Sequence, residues 1–492
     1  MTLQFPQLTV LPIERYSTLF TSAVIKRAVK RFGDLHARLS GRVVWNVSST
    51  AVSGGVAEMV RSLLAYARGA GIDARWVVVQ GSPEFFHITK RLHNALHGSA
   101  GDRSPLGAVE REVFESVNAI NAAELAPMVQ PNDVVIVHDP QPAGMIPALK
   151  ARGARVIWRC HIGQDATNVE TDRGWQFLAP DLRDADAYVF SRATYVPSCL
   201  DRRRAVLIPP SLDPFSAKNQ SMSDATVRAI LIRAGLIAGT AAADACTFVR
   251  EDGTPGRVDR TAEIVRAGAA PTESTPLVVQ VSRWDRLKDP SGVLAGFARL
   301  DEAKAHGAHL FLVGPAVHGV SDDPEGASVL AEIISQWLAL PASVSQRIHL
   351  ASIPTDDVDE NAAIINALQR HATVIVQKSL QEGFGLTVAE AMWKAKPVIA
   401  SAVGGIQDQI DDGVQGLLIS DPSDLDEFAR ALARVLDDPA EAQRMGERGR
   451  ARVIERYLGL NALLRYGAPI EAIDAGARSG FSFDDSARAT GS

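Results

Sequence analysis

The sequence predicts two doubly wound Rossmann-like α/β domains that face each other across a cleft. Three observations lead to this fold class. Short β-branched runs alternate with helical stretches almost from end to end, which is typical of parallel sheets with right-handed crossovers. The chain has 492 residues, which is long for one hydrophobic core and favours two domains. A segment with three prolines, 209–214, interrupts the alternation.

The predicted strands are short and are separated by stretches with helical spacing. In the first half they span residues 43–47, 75–79, 133–138, 155–160, 187–190 and 205–208. In the second half they span residues 277–282, 309–313, 347–351, 373–377, 397–400 and 416–419. Helices are predicted between them, for example at 56–70, where the apolar residues follow a helical period. Because ligands of such sheets bind at the carboxyl ends of the strands, the site residues are expected there.

These elements divide the chain into five predicted parts. They are a first Rossmann-like domain (1–212), a linker with a surface insertion (213–276), a second Rossmann-like domain (277–450), a C-terminal helix (451–475) and a flexible tail (476–492). Within the linker we predict a helix at 225–236. The Gly/Ala/Thr-rich insertion at 236–262 has no role that the sequence indicates.

The composition argues against several classes of function. The formal net charge is −6, and no Lys/Arg stripe alternates with aromatic residues, so nucleic-acid binding is not expected. No apolar run approaches the length that crosses a bilayer, and the N-terminus lacks a secretion signal, which predicts a cytoplasmic protein. The cysteines, Cys160, Cys199 and Cys246, show no CxxC spacing. They are predicted to be reduced, and no metal site is expected.

The most informative motif begins at Glu382 and ends at Glu390. A buried strand is predicted before it and a helix within its second half, so its glycines lie at a strand-to-helix turn. Glycine lets backbone N–H groups approach a ligand, a helix start attracts anions, and carboxylates accept hydrogen bonds from hydroxyls. These properties predict a sugar nucleotide as the ligand; the alternative is a solvated helix start. The residues of the motif predicted to bind substrate are Gly383, Phe384, Gly385, Leu386, Thr387 and Glu390.

Two cations form a second motif. Arg283 and Lys288 directly follow the first predicted strand of the second domain. At the carboxyl edge of a sheet they suit a leaving diphosphate, whose negative charge grows as the glycosidic bond breaks. The alternative is a surface pair neutralised by Asp285 and Asp289. We predict that Arg283 and Lys288 are catalytic.

A glycine pair forms a third motif. Ser53, Gly54 and Gly55 follow the first predicted strand and open the helix 56–70. Two glycines let the main chain pass close to a phosphate, and we predict that Gly54 and Gly55 bind substrate. The pattern is neither G-x-G-x-x-G nor a Walker loop, which argues against a conventional NAD or ATP site. A plain tight turn is the alternative.

Together the motifs resemble the signature of the retaining GT-B glycosyltransferases, the group that includes glycogen synthase and sucrose synthase. The resemblance covers most of the chain. It implies that the second domain binds a nucleotide sugar, that the first lies on the acceptor side, and that the C-terminal helix crosses back onto the first domain. It also implies that Glu382 is catalytic and holds hydroxyls of the donor sugar, that Glu390 holds the ribose, and that Gly54 and Gly55 lie over the donor.

A fourth motif is narrower. Trp158-Arg-Cys-His161-Ile-Gly163 ends a predicted strand. His161 is predicted to be catalytic, by contacting the transferred sugar near the reacting carbon; a satisfied loop histidine is the alternative. This run and residues 208–219 are similar to the glycosyltransferring trehalose synthases. Those proteins often have aspartate where this chain has Gly163, so Asp165 becomes the candidate carboxylate for the acceptor.

The resemblance implies a retaining hexosyltransferase that moves glucose from ADP- or UDP-glucose to free glucose and forms α,α-trehalose. Rival hypotheses are another acceptor (sugar phosphate, glycerate or glucan), a nucleotide-sugar epimerase, and a non-catalytic sugar-nucleotide sensor. No tightly bound cofactor is expected. An Mg²⁺ ion carried with the nucleotide and a homodimeric assembly are left open, as is the nucleobase that the site prefers.

Overall fold

The computed structural model describes residues 2–51, 54–317 and 325–476. Ser53 and residues 477–492 of the predicted tail lie outside these ranges. The chain divides into two compact units: unit 1 contains Met1–Leu212 and the C-terminal segment from Glu455, and unit 2 contains Asp213–Ile454. Each unit has its own buried hydrophobic core.

Unit 1 is built on a six-stranded parallel sheet with the strand order β2-β1-β3-β4-β5-β6. Its strands are β1 (Val44–Ser48), β2 (Ala74–Val78), β3 (Val134–His138), β4 (Arg155–Arg159), β5 (Ala187–Phe190) and β6 (Ala205–Leu207). Its first helices are α1 (Ser22–Arg38), α2 (Gly55–Gly69), α3 (Pro83–Leu96), α4 (Ala108–Leu125), α5 (Ile146–Ala151) and α6 (Val169–Leu182). The six strands predicted in the first half are confirmed.

The first helix of unit 2 is α7 (Asp224–Arg233), where a helix is predicted at 225–236. Strands β7 (Thr247–Val249) and β8 (Pro255–Arg257) lie in the insertion, and β9 (Glu263–Val265) follows it directly. The remaining strands are β10 (Leu277–Val281), β11 (His309–Pro315), β12 (Ile348–Ile353), β13 (Val374–Gln377), β14 (Val398–Ser401) and β15 (Leu417–Ile419). The helices around them are α8 (Pro290–Ala298), α9 (Glu302–Ala305), α10 (Gly326–Leu338), α11 (Ala342–Ser345), α12 (Val358–His371), α13 (Leu386–Trp393), α14 (Ile406–Gln409), α15 (Leu425–Asp437) and α16 (Pro439–Arg456). The six strands predicted in the second half are confirmed.

The larger sheet of unit 2 has the order β15-β14-β13-β10-β11-β12-β9, parallel except for β9. The chain leaves β10 towards β11 and later returns to the other side of β10 as β13. In unit 1, β1 likewise lies between β2 and β3. Crossovers that leave a strand in opposite directions open a crevice at the carboxyl end of the sheet. Each unit therefore has one such switch point, at β1/β3 and at β10/β13.

The insertion is fastened to unit 2. Strands β7 and β8 form an antiparallel hairpin, and β9 adds an antiparallel edge to β12. Arg250 donates two hydrogen bonds to Asp357, the N-cap of α12, at 3.0 and 2.7 Å. The buried Glu360 of α12 accepts from Arg260 and from the backbone N–H of Asp259. The sequence did not predict these three strands.

The C-terminal helix α17 (Gly459–Asp474) belongs to unit 1, where it packs against α1 and α2. Asp474 at its end accepts from Arg42 at 2.6 Å. No helix in the described ranges, α17 included, is both long and apolar enough to cross a membrane.

Candidate functional site

The first group of site residues lies at the switch point of unit 2. Arg283 and Lys288 follow β10, and Glu382 follows β13. Because β10 and β13 are parallel neighbours, the loops after them leave the same edge of the sheet. The structure thus brings together three of the predicted catalytic residues at the edge where ligands of doubly wound sheets bind.

Lys288 and Glu382 form a direct ion pair. The Lys288 ammonium donates to Glu382 Oε2 at 2.5 Å, although the two residues are 94 positions apart. Ser379 Oγ donates to the same oxygen at 3.3 Å. Both charged side chains are largely buried, so their attraction is less screened than that of an exposed pair. A carboxylate neutralised in this way is better suited to accept hydroxyls than to attack carbon.

Arg283 is the more exposed of the two predicted cations. Its side chain is 47% exposed, against 20% for Lys288. Its guanidinium donates to Asp285 Oδ2 at 3.0 Å, and Asp285 Oδ1 accepts from the Leu287 N–H at 2.8 Å. The intervening Trp284 is buried and donates to the Pro315 carbonyl. Trp284 therefore anchors the loop, while Arg283 keeps much of its surface available to a ligand.

The glycine turn of the glutamate motif is tightly packed. Gly385 has φ +84° and is the N-cap of α13, and a Cβ there would lie 2.9 Å from Ile406 Cγ1. Gln409 Nε2 donates to the Phe384 carbonyl at 2.6 Å, and the Gly405 N–H donates to the Gly383 carbonyl at 3.2 Å. These bonds give the carbonyl groups of Gly383 and Phe384 a partner and fix the conformation of the turn.

The start of α13 carries the remaining predicted residues, Leu386 and Thr387. Both are partly exposed, and the N-cap residue, Gly385, has no side chain that could cap this helix N-terminus. Uncapped N–H groups and the helix dipole attract anions. The turn therefore presents an anion-attracting helix end beside the Lys288–Glu382 pair, as the motif predicts.

Glu390 lies in α13 and is only 5% exposed. Its Oε1 is 3.2 Å from the Lys218 ammonium, and its Oε2 accepts from the buried Gln369 amide at 3.4 Å. The sequence reading did not identify Lys218 as a partner. A hydroxyl ligand of Glu390 has to share this carboxylate with Lys218.

The glycine loop of unit 1 follows β1. Gly54 has φ +90° and is the N-cap of α2, which begins at Gly55. A Cβ at Gly54 would meet no described atom within 4 Å, so backbone conformation rather than crowding favours glycine there. The loop lies at the β1/β3 switch point, where ligands of doubly wound sheets bind.

His161 belongs to a hydrogen-bonded chain of side chains. His161 Nε2 lies 3.2 Å from His138 Nδ1, His138 Nε2 lies 3.0 Å from Asn46 Oδ1, and Arg159 Nε donates to His161 Nδ1 at 3.4 Å. Arginine can only donate, so it leaves His161 with its proton on Nε2. His161 then donates to His138, and His138 donates to Asn46. Both imidazoles are therefore neutral Nε2–H tautomers in this hydrogen-bonded series of side chains.

Burial shifts the titration of this cluster. It lowers the pKa of His138 to about 3 and lowers that of His161 well below the usual value, and the Arg159 charge acts in the same direction. It raises the pKa of Asp139 to about 7, against the hydrogen bond from the His161 N–H and the charge of Arg159. Asp139 and His161 nevertheless keep part of their surface exposed. Strong desolvation together with partial exposure is typical of side chains that line a surface pocket.

Asp165 is held by Arg192, with which it forms a short ion pair, and Thr194 Oγ1 lies 3.4 Å from the same carboxylate oxygen. At Gly163 a Cβ would lie 2.1 Å from Tyr195. An aspartate at this position would therefore require Tyr195 to move. This crowding favours glycine at position 163.

Asp139 and His138 should change stability in opposite directions with pH. Folded Asp139 keeps a proton that the unfolded chain releases between about pH 4 and 7, so its stabilising contribution falls as pH rises. Folded His138 lacks a proton that the unfolded chain binds between about pH 3 and 6.5, so its contribution falls as pH falls.

We therefore expect His138→Asn to flatten the acid destabilisation below pH 6.5 and Asp139→Asn to steepen it, each by up to about 1.4 kcal/mol per pH unit. Asparagine tolerates the φ of +64° at position 139. Urea unfolding of both variants between pH 4.5 and 7.5 measures the slopes. Slopes that change in the same direction for both variants would contradict the assigned protonation states.

Two further residues of unit 2 were not identified from the sequence. Lys378 is fully buried and pairs with Asp289, and the buried Gln409 holds the glycine turn. Neither belongs to a local pattern with chemical meaning. Within the described ranges, no group of three or more His, Cys, Asp or Glu residues is arranged to hold a metal ion.

Two family models match the chain in succession. The model for the N-terminal domain of trehalose synthase matches residues 46–197, and the model for group 1 glycosyl transferases matches residues 262–452. Trehalose synthase from Pyrococcus horikoshii is 33% identical over 449 residues, 91% of this chain and 94% of that protein. Trehalose phosphorylase from Pleurotus pulmonarius is 27% identical over 428 residues, 82% of this chain and 54% of that protein.

Solved structures share the fold. The α,α-trehalose-phosphate synthase (UDP-forming) from Burkholderia xenovorans, solved in complex with glucose-6-phosphate, aligns with a TM-score of 0.63 at 17% identity, over 85% of this chain and 97% of that chain. At this identity the likeness concerns the fold alone. The predicted GT-B fold, with its two parallel-sheet α/β units, is confirmed.

Proposed function

Because the chain belongs to the trehalose synthase family of group 1 glycosyltransferases, we propose that it is a retaining glucosyltransferase that forms α,α-trehalose. Family membership makes it a trehalose-related enzyme of the hexosyltransferase type. The proposal adds the donor, ADP- or UDP-glucose, the acceptor, free glucose, and retention of the α configuration. It includes no tightly bound cofactor.

The observation that supports a nucleotide-sugar donor is the Lys288–Glu382 pair at the β10/β13 switch point. Lys288 and the exposed Arg283 supply positive charge where a diphosphate leaves. The start of α13, where Gly385 supplies no side-chain cap, adds the dipole of a helix N-terminus. Glu382 supplies an acceptor for hydroxyls of the glucosyl group. Charge of both signs within one loop cluster fits a sugar diphosphate better than a neutral sugar.

The proposed reaction exchanges one bond for another at the anomeric carbon. The bond from C1 to the phosphate oxygen breaks and its electron pair leaves with the nucleoside diphosphate, next to Arg283 and Lys288. The acceptor oxygen bonds to C1 on the same face, and its proton passes to a phosphate oxygen. Glu382 stays a hydrogen-bond acceptor throughout, because its pairing with Lys288 lowers its nucleophilicity.

Residues of unit 1 are proposed to hold the sugars. In the Nε2–H tautomer, His161 Nδ1 can only accept a hydrogen bond, and its contact with Arg159 is long at 3.4 Å. We infer that a sugar hydroxyl donates to this nitrogen. Asp165, which is partly exposed beside Arg192, is the candidate acceptor for a hydroxyl of the incoming glucose.

The similarity to trehalose phosphorylase supports a second candidate. In that case inorganic phosphate takes the place of the nucleotide, and trehalose with phosphate gives glucose 1-phosphate and glucose. The same cations would then bind free phosphate. Other acceptors (sugar phosphate, glycerate or glucan), an epimerase and a non-catalytic sensor are the remaining alternatives, and product analysis separates them.

The proposal predicts that the chain converts ADP-glucose or UDP-glucose plus glucose into α,α-trehalose and the nucleoside diphosphate. ¹H NMR of the mixture would show the single anomeric doublet of the symmetric product, and ¹³C-labelled acceptor glucose would give one labelled ring. Parallel reactions with glucose 1-phosphate, with sugar-phosphate acceptors, without acceptor, and with EDTA or Mg²⁺ test the alternatives. No trehalose from any nucleotide donor would refute the proposal.

A further inference from the structure

The wholly buried Lys378 is a charged residue that the proposed mechanism does not use. It follows the last residue of β13 and has 0% exposed surface. Its ammonium forms a short ion pair with Asp289, which follows Lys288 directly. Burying two charges costs several kcal/mol per ion, and apolar side chains often stabilise a fold equally well. The pair therefore calls for an explanation beyond stability.

Asp289 is constrained from three sides. Its backbone adopts φ +49°, a conformation that non-glycine residues rarely take. Its Oδ1 caps α8 by accepting from the Gly292 N–H at 2.9 Å. A Cβ at Gly292 would lie 2.0 Å from Asp289 Oδ2 and 2.5 Å from Lys378 Nζ. The first turn of α8 is therefore built around the ion pair.

Strand β10 and the loop after it fix the backbone of Lys288. The buried Gln280 donates to the Lys288 carbonyl at 2.8 Å, and the Lys288 N–H donates to the Asp285 carbonyl at 3.0 Å. Beyond Lys288 the chain turns at Asp289 into the left-handed region. The direction of the Lys288 side chain thus depends on the conformation that Lys378 holds at Asp289.

Lys378 also connects to the other half of the catalytic pair. Its neighbour Ser379 donates to Glu382 Oε2, the oxygen that Lys288 contacts. Gln377, on the other side of Lys378, donates to Ser379 Oγ at 2.9 Å. One buried segment therefore supports both Lys288 and Glu382.

We propose that Lys378 is a positioning residue, which acts through Asp289 to aim the Lys288 ammonium at the departing diphosphate. This inference rests on the proposed function. The Lys378–Asp289 pair is neutral overall, so it adds little field of its own and works by geometry. Small misplacements of a catalytic group lower rates strongly, by about 100-fold for roughly 1 Å.

The double variant Lys378→Met/Asp289→Asn tests this role, since it leaves no unpaired buried charge. We expect kcat to fall about 10- to 100-fold, with the donor KM changed less than about threefold, because the loss concerns the transition state. The control is Arg299→Met/Asp426→Asn, which removes an exposed pair of the same unit. A purely structural role would lower the thermal midpoint without changing kcat per folded molecule, and that result would overturn the inference.

A cycle with Lys288→Met tests whether the effect passes through Lys288. If the effect passes through Lys288, the triple variant should have a kcat less than about threefold below that of Lys288→Met alone, since the effects of coupled residues are not additive. A full additional loss would contradict the inference. If the double variant does not fold, Asp289→Glu keeps both charges and lengthens one side chain, and wild-type kcat in that variant would also overturn it. A wild-type chain without transfer activity would instead refute the proposed function.

Discussion

Replacing Lys288 with methionine is expected to lower kcat about 10²- to 10³-fold, because fixed groups aimed at developing charge usually supply the largest catalytic term. Lys288 is the more buried of the two cations and pairs directly with Glu382. Methionine keeps an unbranched side chain of similar shape, one atom shorter, and removes the ammonium with its charge and its hydrogen bond to Glu382. Initial rates with saturating glucose and varied ADP- or UDP-glucose give kcat and KM separately.

The matched control is Lys304→Met, which removes an exposed lysine from α9 of the same unit and should leave both constants unchanged. Arg283→Met should show a smaller loss than Lys288→Met, because the exposed guanidinium works in a more polar medium. A Lys288→Met enzyme with near wild-type kcat would show that this ammonium does not stabilise the leaving group.

Glu382→Ala is expected to lower kcat at least about 100-fold, since hydrogen bonds to the sugar that strengthen in the transition state supply several kcal/mol. Glu390→Ala should instead raise the donor KM about tenfold with little change in kcat, because one charge-assisted hydrogen bond to the ribose is lost in ground and transition states alike. Steady-state kinetics and titration with the nucleoside diphosphate separate the two patterns.

The neutral variants Glu382→Gln and Glu390→Gln serve as controls. Glutamine keeps the volume of both sites, and at Glu390 it keeps an oxygen that can accept from Lys218. These variants should reproduce each pattern in weaker form if the carboxylate charge matters. A loss of kcat at Glu390 with a loss of donor binding at Glu382 would reverse the assigned roles.

Most of the fold could be predicted because its strands are continuous apolar runs buried on both faces, such as β3, which is largely β-branched, and β11. The strands β7, β8 and β9 could not. They have three residues each, lie in or directly after the Gly/Ala/Thr-rich insertion, and are largely or partly exposed. Tertiary contacts such as Arg250 with Asp357 hold them, and these contacts leave no periodic trace in the sequence.

The candidate site could be predicted where chemistry and sequence spacing coincide. Glu382 and Lys288 were each predicted from a local motif, and the structure brings them within hydrogen-bonding distance. Partners distant in sequence were not predictable: Lys378 is 89 positions from Asp289, and Lys218 precedes the glutamate motif by most of a domain. In the sequence, a single lysine that will be buried cannot be distinguished from a surface lysine, because its burial depends on the tertiary fold.

The most direct test of the central claim is a crystal structure of the chain with a nucleoside diphosphate. We predict density for the diphosphate between Arg283 and Lys288 at the start of α13. The ribose hydroxyls should contact Glu390, and Lys218 should either move away from this carboxylate or share it with the ribose. A nucleoside diphosphate bound elsewhere, remote from Arg283, Lys288 and Glu390, would contradict it.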